Sequence, residues 1–258
     1  MMGADGDRRL VVGNWKMMID HNQGRDLIRS IANTVNKSAE SGVTTIVLPS
    51  FTSIHPVCQT CAECESRVMI GAQTVSDVME GAYTGDVSAS MLAALGCKYV
   101  LVGHSERRKY HHEDDACIRR KLRTVIDAGM TPILCVGESA EVHESGLTGF
   151  TIIRQLQVLD AIPDHVNDVI IADEPVWAIG SGQTADRGDI DHVIDVITDR
   201  IGSAGGHKSM VLYGGSVNAG NADSLASIDR LTGVLVGGAS VRAEPFREII
   251  TAFGRSER

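Results

Sequence analysis

The stretch Asp173-Glu174-Pro175-Val176-Trp177-Ala178-Ile179-Gly180-Ser181-Gly182-Gln183-Thr184 opens on two carboxylates and closes on glycines. It follows Val169–Ala172, an apolar, β-branched run that reads as a buried strand. A carboxylate at a strand end, a proline-stiffened start, a bulky tip and a flexible exit are the parts of a lidded acid–base site. The plain alternative is an ordinary strand-to-helix loop. Asn14 and Lys16 leave a second apolar run, Leu10–Gly13, and strand alternation sets them on one side with Trp15 on the other. An amide and an ammonium together suit a developing negative charge; a solvated strand end accounts for the lysine equally well. His104 follows Tyr99–Val102 and adjoins the charged run Ser105–Arg108. It is either a satisfied structural histidine or an acid–base group at a strand end. Gly214-Gly215 and Gly237-Gly238 follow the runs Ser209–Tyr213 and Gly233–Val236. Glycine lets backbone N–H groups approach a ligand closely, although each pair alone could be a turn.

The elements that carry these residues can be read in order. Leu10–Gly13, Val43–Leu48, Val68–Gly71, Tyr99–Val102, Thr131–Val136, Val169–Ala172, Ser209–Tyr213 and Gly233–Val236 are eight expected strands. Helices are expected at Gly24–Ser38, Ile54–Glu65, Val87–Leu95, Asp115–Ala128, Thr151–Leu159, Ile190–Ile201 and Val241–Phe253. Leu27, Ile28, Ile31 and Val35 give the first of these a buried face. Alternating strands and helices with no linker predict one parallel α/β domain over residues 1–258, with 1–9 as a flexible tail. The count of eight and the length, near the roughly 250 residues of a (β/α)8 barrel, favour a closed barrel over an open sheet. The candidate residues lie at the carboxyl ends of strands, where such barrels hold their sites, and the two glycine pairs lie where many of them hold phosphate. The long excursion Ala72–Asp86 suggests subunit contact.

The formal net charge of −9 argues against nucleic acid or an anionic membrane as main partner. An anionic small molecule stays open, because backbone N–H groups bind phosphate whatever the net charge. The opening residues lack the apolar core of a secretory signal, and no apolar run reaches the ~18 residues of a membrane span, so a cytoplasmic protein is expected. Cys58-x-x-Cys61-x-x-Cys64 resembles part of an iron–sulfur set, but no fourth ligand has matching spacing. Reduced thiols and no metal are the expectation.

Gly13-Asn14-Trp15-Lys16-Met17, Gly81–Gly85, Val102–Arg108, Cys135–Glu138, Glu174–Gly180, Tyr213–Val217 and Leu235–Ser240, in this order, resemble the triosephosphate isomerase family over nearly the whole chain. The resemblance implies a (β/α)8 barrel and a cofactor-free isomerase joining a ketose phosphate to its aldose phosphate. It implies Glu174 as general base, neutral His104 as electrophile and proton shuttle, and Lys16 with Asn14 as stabilisers of an enediolate; this family is itself the standing example of such tuned acid–base roles. It further implies a phosphate held by N–H groups of Gly180, Ser216, Gly237 and Gly238 under a closing loop, Pro175–Ala185. Glu106, Cys135, Glu138 and Trp177 are the implied supporting residues. Thr84 is implied to reach a neighbouring subunit near Asn14 and Glu106 in a homodimer.

Three positions depart from the family pattern: Met18 and His143 stand where it has Asn and Arg, and Asp173 stands where it has Tyr. The Tyr hydroxyl bonds the carboxylate matching Glu138 and helps park the tryptophan matching Trp177. Asp173 removes that donor and sets a second carboxylate near Glu138, to be met by a shared proton or by His143 or an arginine. It could equally mark another substrate, such as the four-carbon erythrulose phosphate. Gly180–Ala185 also fits the dinucleotide fingerprint G-x-G-x-x-A, but six residues separate it from its strand, against a nicotinamide oxidoreductase. A silent phosphate-binding barrel is disfavoured by the intact Glu174, His104 and Lys16.

Overall fold

The computed structural model describes residues 9–162, 169–180, 184–202 and 210–255. Eight parallel strands close into a barrel in chain order. They are β1 (Arg9–Asn14), β2 (Val43–Leu48), β3 (Met69–Ala72), β4 (Tyr99–Val102), β5 (Thr131–Val136), β6 (Ile170–Asp173), β7 (Met210–Tyr213) and β8 (Gly233–Val236). Closure is made by β1 on β8, with Leu10 opposite Gly233 and Val12 opposite Leu235. Between and after the strands run helices α1 (His21–Glu40), α2 (Phe51–Glu63), α3 (Ala89–Ala94), α4 (Ser105–Tyr110) and α5 (Asp115–Asp127). They continue as α6 (Ala140–Glu144), α7 (Thr148–Leu156), α8 (Arg187–Gly202), α9 (Ala222–Ala226) and α10 (Ala243–Arg255).

Strand alternation divides the apolar residues into two cores. Leu10, Val12, Ile46, Leu48, Leu101, Ile133 and Ile170 belong to the set that fills the barrel, while their neighbours Val11, Val47, Val102, Leu134 and Ile171 pack in the shell with the helices. Each such side chain, fully buried, contributes about 1.5–3 kcal/mol relative to exposure, so the β-branched runs specify both layers at once. Helix α1 buries Leu27, Ile28, Ile31 and Val35, as its spacing requires. Asp20 and Gln23 close its first turn as a reciprocal capping box, so it starts three residues before Gly24.

Helices α4, α6 and α9 were not expected. They have five or six residues, and α4 and α6 bury none, so no amphipathic period could announce them. Arg9 corrects the expected tail: it pairs in β1, donates from Nη1 to the Ala226 carbonyl at 2.5 Å and lies over the Phe253 ring. A buried arginine held this way continues the strand although its type does not suggest it. The rest of that tail, residues 1–8, lies outside the described residues, as do Ser209 of the expected seventh strand and Ser181, Gly182 and Gln183 of the lid.

Candidate active site

Asn14, Lys16, His104, Glu174, Gly180, Ser216, Gly237 and Gly238 line one cavity of about 300 Å³ at the carboxyl ends of the strands. These are all eight residues singled out for chemistry or phosphate binding. A larger hollow of about 570 Å³, lined by Ser105, Lys109, Tyr110 and Val176, lies on the other side of Glu174. The smaller cavity suits an anionic reactant because it combines the Lys16 ammonium with two glycine loops.

The centre of the cavity is a buried pair. Glu174 follows β6 directly and is 2% exposed; His104 follows Gly103 at the end of β4 and is 4% exposed. His104 Nε2 lies 2.9 Å from Glu174 Oε1, and the Ser105 N–H donates to Oε2 at 3.0 Å. Burial alone would raise the Glu174 pKa, but His104, the Ser105 N–H and Lys16 outweigh it and hold the carboxyl below its ordinary value. For His104 burial disfavours the charged ring, while the Glu174 carboxylate pulls its pKa above the ordinary value. The Glu106 N–H donates to Nδ1 at 3.2 Å, because His104 caps α4. A second ring proton at Nδ1 would face that donor. The geometry therefore favours a neutral imidazole with its proton on Nε2, pointed at Glu174.

Lys16 is held in the left-handed region, at φ +50°, a conformation that a non-glycine residue keeps only under constraint. Three bonds supply the constraint. The Lys16 N–H donates to Asn14 Oδ1 at 3.0 Å, and Gln73 Nε2 donates to the carbonyls of Lys16 at 2.8 Å and Leu48 at 2.9 Å. The Lys16 ammonium donates to Glu106 Oε1 at 2.6 Å. Gln73 was missed in the sequence, yet it occupies the first position after β3, the same address as the residues that were found.

The loops around this pair are tied together by polar side chains. Gly137 comes so close to β6 that a Cβ on it would lie 1.8 Å from the Glu174 carbonyl oxygen. Gln155 of α7 grips its backbone twice, accepting from the Gly137 N–H and donating to its carbonyl, both at 2.8 Å. The lid leaves Glu174 with the Val176 N–H donating to the Glu138 carbonyl at 3.0 Å, and Gly180 turns it at φ +68°. On its far side the Ala185 N–H donates to the Tyr213 hydroxyl at 3.1 Å, and Asn221 Nδ2 donates to the Ser216 carbonyl at 2.8 Å and Thr184 Oγ1 at 3.1 Å. Gln155 and Asn221 were also missed; each lies in or beside a helix, away from any strand end.

The expected supporting residues fall into three places. Glu106 meets Lys16, as above. Cys135 lies inside the barrel at the end of β5, where burial first and then the Glu174 charge push its thiol well above the ordinary value. Glu138 accepts from Trp177 Nε1 at 2.9 Å, and the His143 ring stacks on Trp177 with centroids 4.5 Å apart. Asp173 points outward from β6, opposite in sense to Glu174, and lines a small cavity together with Glu138, His143 and Trp177. Thr84 is exposed within an exposed loop tip, and Met17 nearby in sequence to Lys16 is 98% exposed. Cys58, Cys61 and Cys64 ride on or at the end of α2 as free thiols; burial chiefly pushes Cys61 up to about 12.

Comparison with known proteins gives this arrangement its context. A family model described as "Triosephosphate isomerase" matches residues 9–253. The triosephosphate isomerase of Mycobacterium tuberculosis is 42% identical over 244 residues, covering 92% of this chain and 93% of its own. That of Cutibacterium acnes is 38% identical over 252 residues, covering 95% and 97%. The crystal structure of triosephosphate isomerase from Bartonella henselae superposes with a TM-score of 0.85 at 31% identity, covering 96% of this chain and 99% of that one. With barrel, motif order and relatives agreeing from end to end, the chain belongs to the triosephosphate isomerase family.

Proposed function

We propose that this protein interconverts dihydroxyacetone phosphate and D-glyceraldehyde 3-phosphate through an enediolate, using no cofactor. The observation that carries the reading is the buried Glu174–His104 pair, 2.9 Å apart, in one cavity with Lys16 and the two glycine loops. Glu174 is assigned the proton transfer between adjacent carbons. The Nε2–H of His104 polarises the carbonyl and passes a proton between the two oxygens, which requires the substrate to insert between His104 and Glu174. Lys16, held by Asn14 and Gln73, places its ammonium against the developing oxyanion. Its chain passes 3.6 Å from where a Cβ on Gly237 would stand, so the same cation also borders the phosphate loop. N–H groups of Gly180, Ser216, Gly237 and Gly238 receive the phosphate, and the lid from Pro175 excludes water.

The working unit in this reading is a homodimer in the cytoplasm. Met17, Phe51, Gln73 and Tyr110 border a groove of about 400 Å³ next to Lys16 and His104, and the exposed loop carrying Thr84 is of a length to fill the same groove on a second copy. A coupled turnover assay on glyceraldehyde 3-phosphate, run beside erythrulose phosphate, tests the proposal. Turnover of the four-carbon substrate alone would replace the triose reading, and no turnover of either would end it.

A further inference from the structure

The cavity behind the lid has no counterpart in the mechanism above. It has a volume of about 40 Å³ and is lined by Glu138, Asp173 and Asp189, the histidines His143 and His192, and the Trp177 indole, with no lysine or arginine among its lining residues. Two carboxylate oxygens in it, Glu138 Oε2 and Asp173 Oδ1, are buried with no hydrogen-bond partner among the described residues. Asp173 is 5% exposed and Glu138 3%. A buried acceptor left unpaired carries its full desolvation cost, and two carboxylates in one cavity with no lysine or arginine lining it are favoured to share a proton.

The surroundings decide which carboxyl holds it. Glu138 already accepts the Trp177 indole N–H at 2.9 Å, and His143 Nδ1 stands 3.5 Å from the same oxygen. Asp173 has no such donor among the described residues. The groups facing it are Glu138 from the β5–α6 loop, His143 from α6, Asp189 and His192 from α8, and the Tyr213 hydroxyl from β7, while Glu174 adds its charge from the other face of the strand end. Burial first, then the charges of Glu138, Glu174 and Asp189, raise the Asp173 carboxyl well above its ordinary value. No set of three or more His, Cys, Asp or Glu among the described residues is placed to hold a metal ion, so the donors do not converge on a cation.

We propose that Asp173 is a positioning residue for the lid, entering the cavity as the neutral acid and giving its O–H to the Glu138 carboxylate. The bond passes through one water, whose share of liquid volume, ~30 Å³, the cavity of about 40 Å³ can hold. The proton fixes Glu138 in the place where it receives Trp177, and so sets the N-terminal end of the lid. When Asp173 ionises, two carboxylates face each other across the cavity, Glu138 is pushed off its bond to Trp177, and the lid loses its anchor. The proposal rests on the isomerase reading for its kinetic consequence only.

Its test uses the full-length wild type with Asp173→Asn, which keeps a donor but cannot ionise, and Asp173→Leu, which removes the donor. In infrared difference spectra the wild type shows the carbonyl stretch of a protonated carboxylic acid at neutral pH, absent from Asp173→Asn and shifted by isotope-labelled aspartate. As pH rises that band disappears, Trp177 emission changes, and kcat/KM on the triose phosphate falls by about three- to tenfold, the worth of one hydrogen bond. Asp173→Asn keeps its neutral-pH kcat/KM and emission over the same range, and Asp173→Leu resembles the alkaline wild type throughout. Superimposable pH profiles for the three proteins, or no aspartic acid band at neutral pH, would overturn the proposal. So would a divalent ion that the dialysed wild type retains and Asp173→Asn does not. If Asp173→Asn does not fold, the labelled band in the wild type decides alone. Absence of turnover in the wild type at every pH would sink the isomerase reading and leave the infrared result standing.

Discussion

Replacing Glu174 by Gln separates the chemistry of the site from its stability. The carboxylate accepts two hydrogen bonds, one from His104 Nε2 and one from the Ser105 N–H. An amide offers one oxygen for those two donors, so one of them is left facing an NH2 group. His104 cannot escape by exchanging tautomers, because the Glu106 N–H occupies Nδ1. An unpaired buried donor costs about 1–3 kcal/mol, and the neutral amide is cheaper to bury than the charge it replaces. Stability in urea is therefore expected to change by about 2 kcal/mol or less. The loss of proton acceptance is larger. A general base contributes about 10²–10⁴ in rate, which is about 2.7–5.4 kcal/mol of barrier at 1.36 kcal/mol per tenfold. Glu174→Gln should thus lose at least ~10² in kcat while unfolding cooperatively near the wild-type midpoint and binding a phosphate-bearing inhibitor within about tenfold of wild type. Calorimetric titration, steady-state kinetics and urea melts on one preparation measure all three. A variant keeping more than about a tenth of wild-type kcat would refute the role given to Glu174.

Gly137→Ala places a methyl group 1.8 Å from the Glu174 carbonyl, a clash with backbone that nothing flexible can relieve, and it should cost more than ~4 kcal/mol in a urea melt. Because the folded Glu174 carboxyl is depressed, its stabilising contribution is complete above the ordinary glutamate value and is lost only as pH falls through the lower folded value. The acid limb of kcat/KM should accordingly lie below the ordinary value of ~4.3. Light scattering of an active sample should give about twice the 27.6 kDa chain mass, and an active sample at the single-chain mass would remove the dimer from the proposal.

What could be read from residue order was whatever the barrel forces into it. Ile170-Ile171-Ala172 is apolar on both faces because one face fills the barrel and the other meets the helices, so strand and layer are written in the same residues. Glu174, His104, Lys16 and the glycine pairs stood out because each ends such a run. Gln73 had the same address and was overlooked only because a glutamine in a long loop suggests no chemistry. Its value lies in reaching the carbonyls of Lys16 and Leu48, two residues brought together by the pairing of β1 with β2. Gln155 carried no readable signal, since its partner Gly137 is brought to it by the packing of α7, and Asn221 reads as an ordinary turn residue although it reaches Ser216 five residues earlier in the same loop. The short helices α4 and α6 were invisible for a similar reason: their hydrogen bonds are local, but nothing in them faces a core.

The alternation that makes strands legible also explains how Asp173 can stand beside Glu174, the proposed base, without touching its partners. Adjacent residues on β6 face different layers: Ala172 and Glu174 look into the barrel and its mouth, Ile171 and Asp173 into the shell under α7 and α8. A carboxyl at position 173 therefore never meets the reactant cavity, and the donors of Glu174, which are His104 and the Ser105 N–H, lie wholly on the other side. What the two residues do share is Pro175, the first residue of the lid. Through the backbone that face of the strand feeds both the base and the start of the loop, and through Glu138 and Trp177 the outer face sets where that loop rests. A change on the outer face is thus free to alter when the lid opens while leaving proton transfer as it was, provided the new group is kept neutral. A carboxyl on that face satisfies the condition only if it holds a proton, so the burial of Asp173, more than its identity, carries the proposal of a pH-dependent lid.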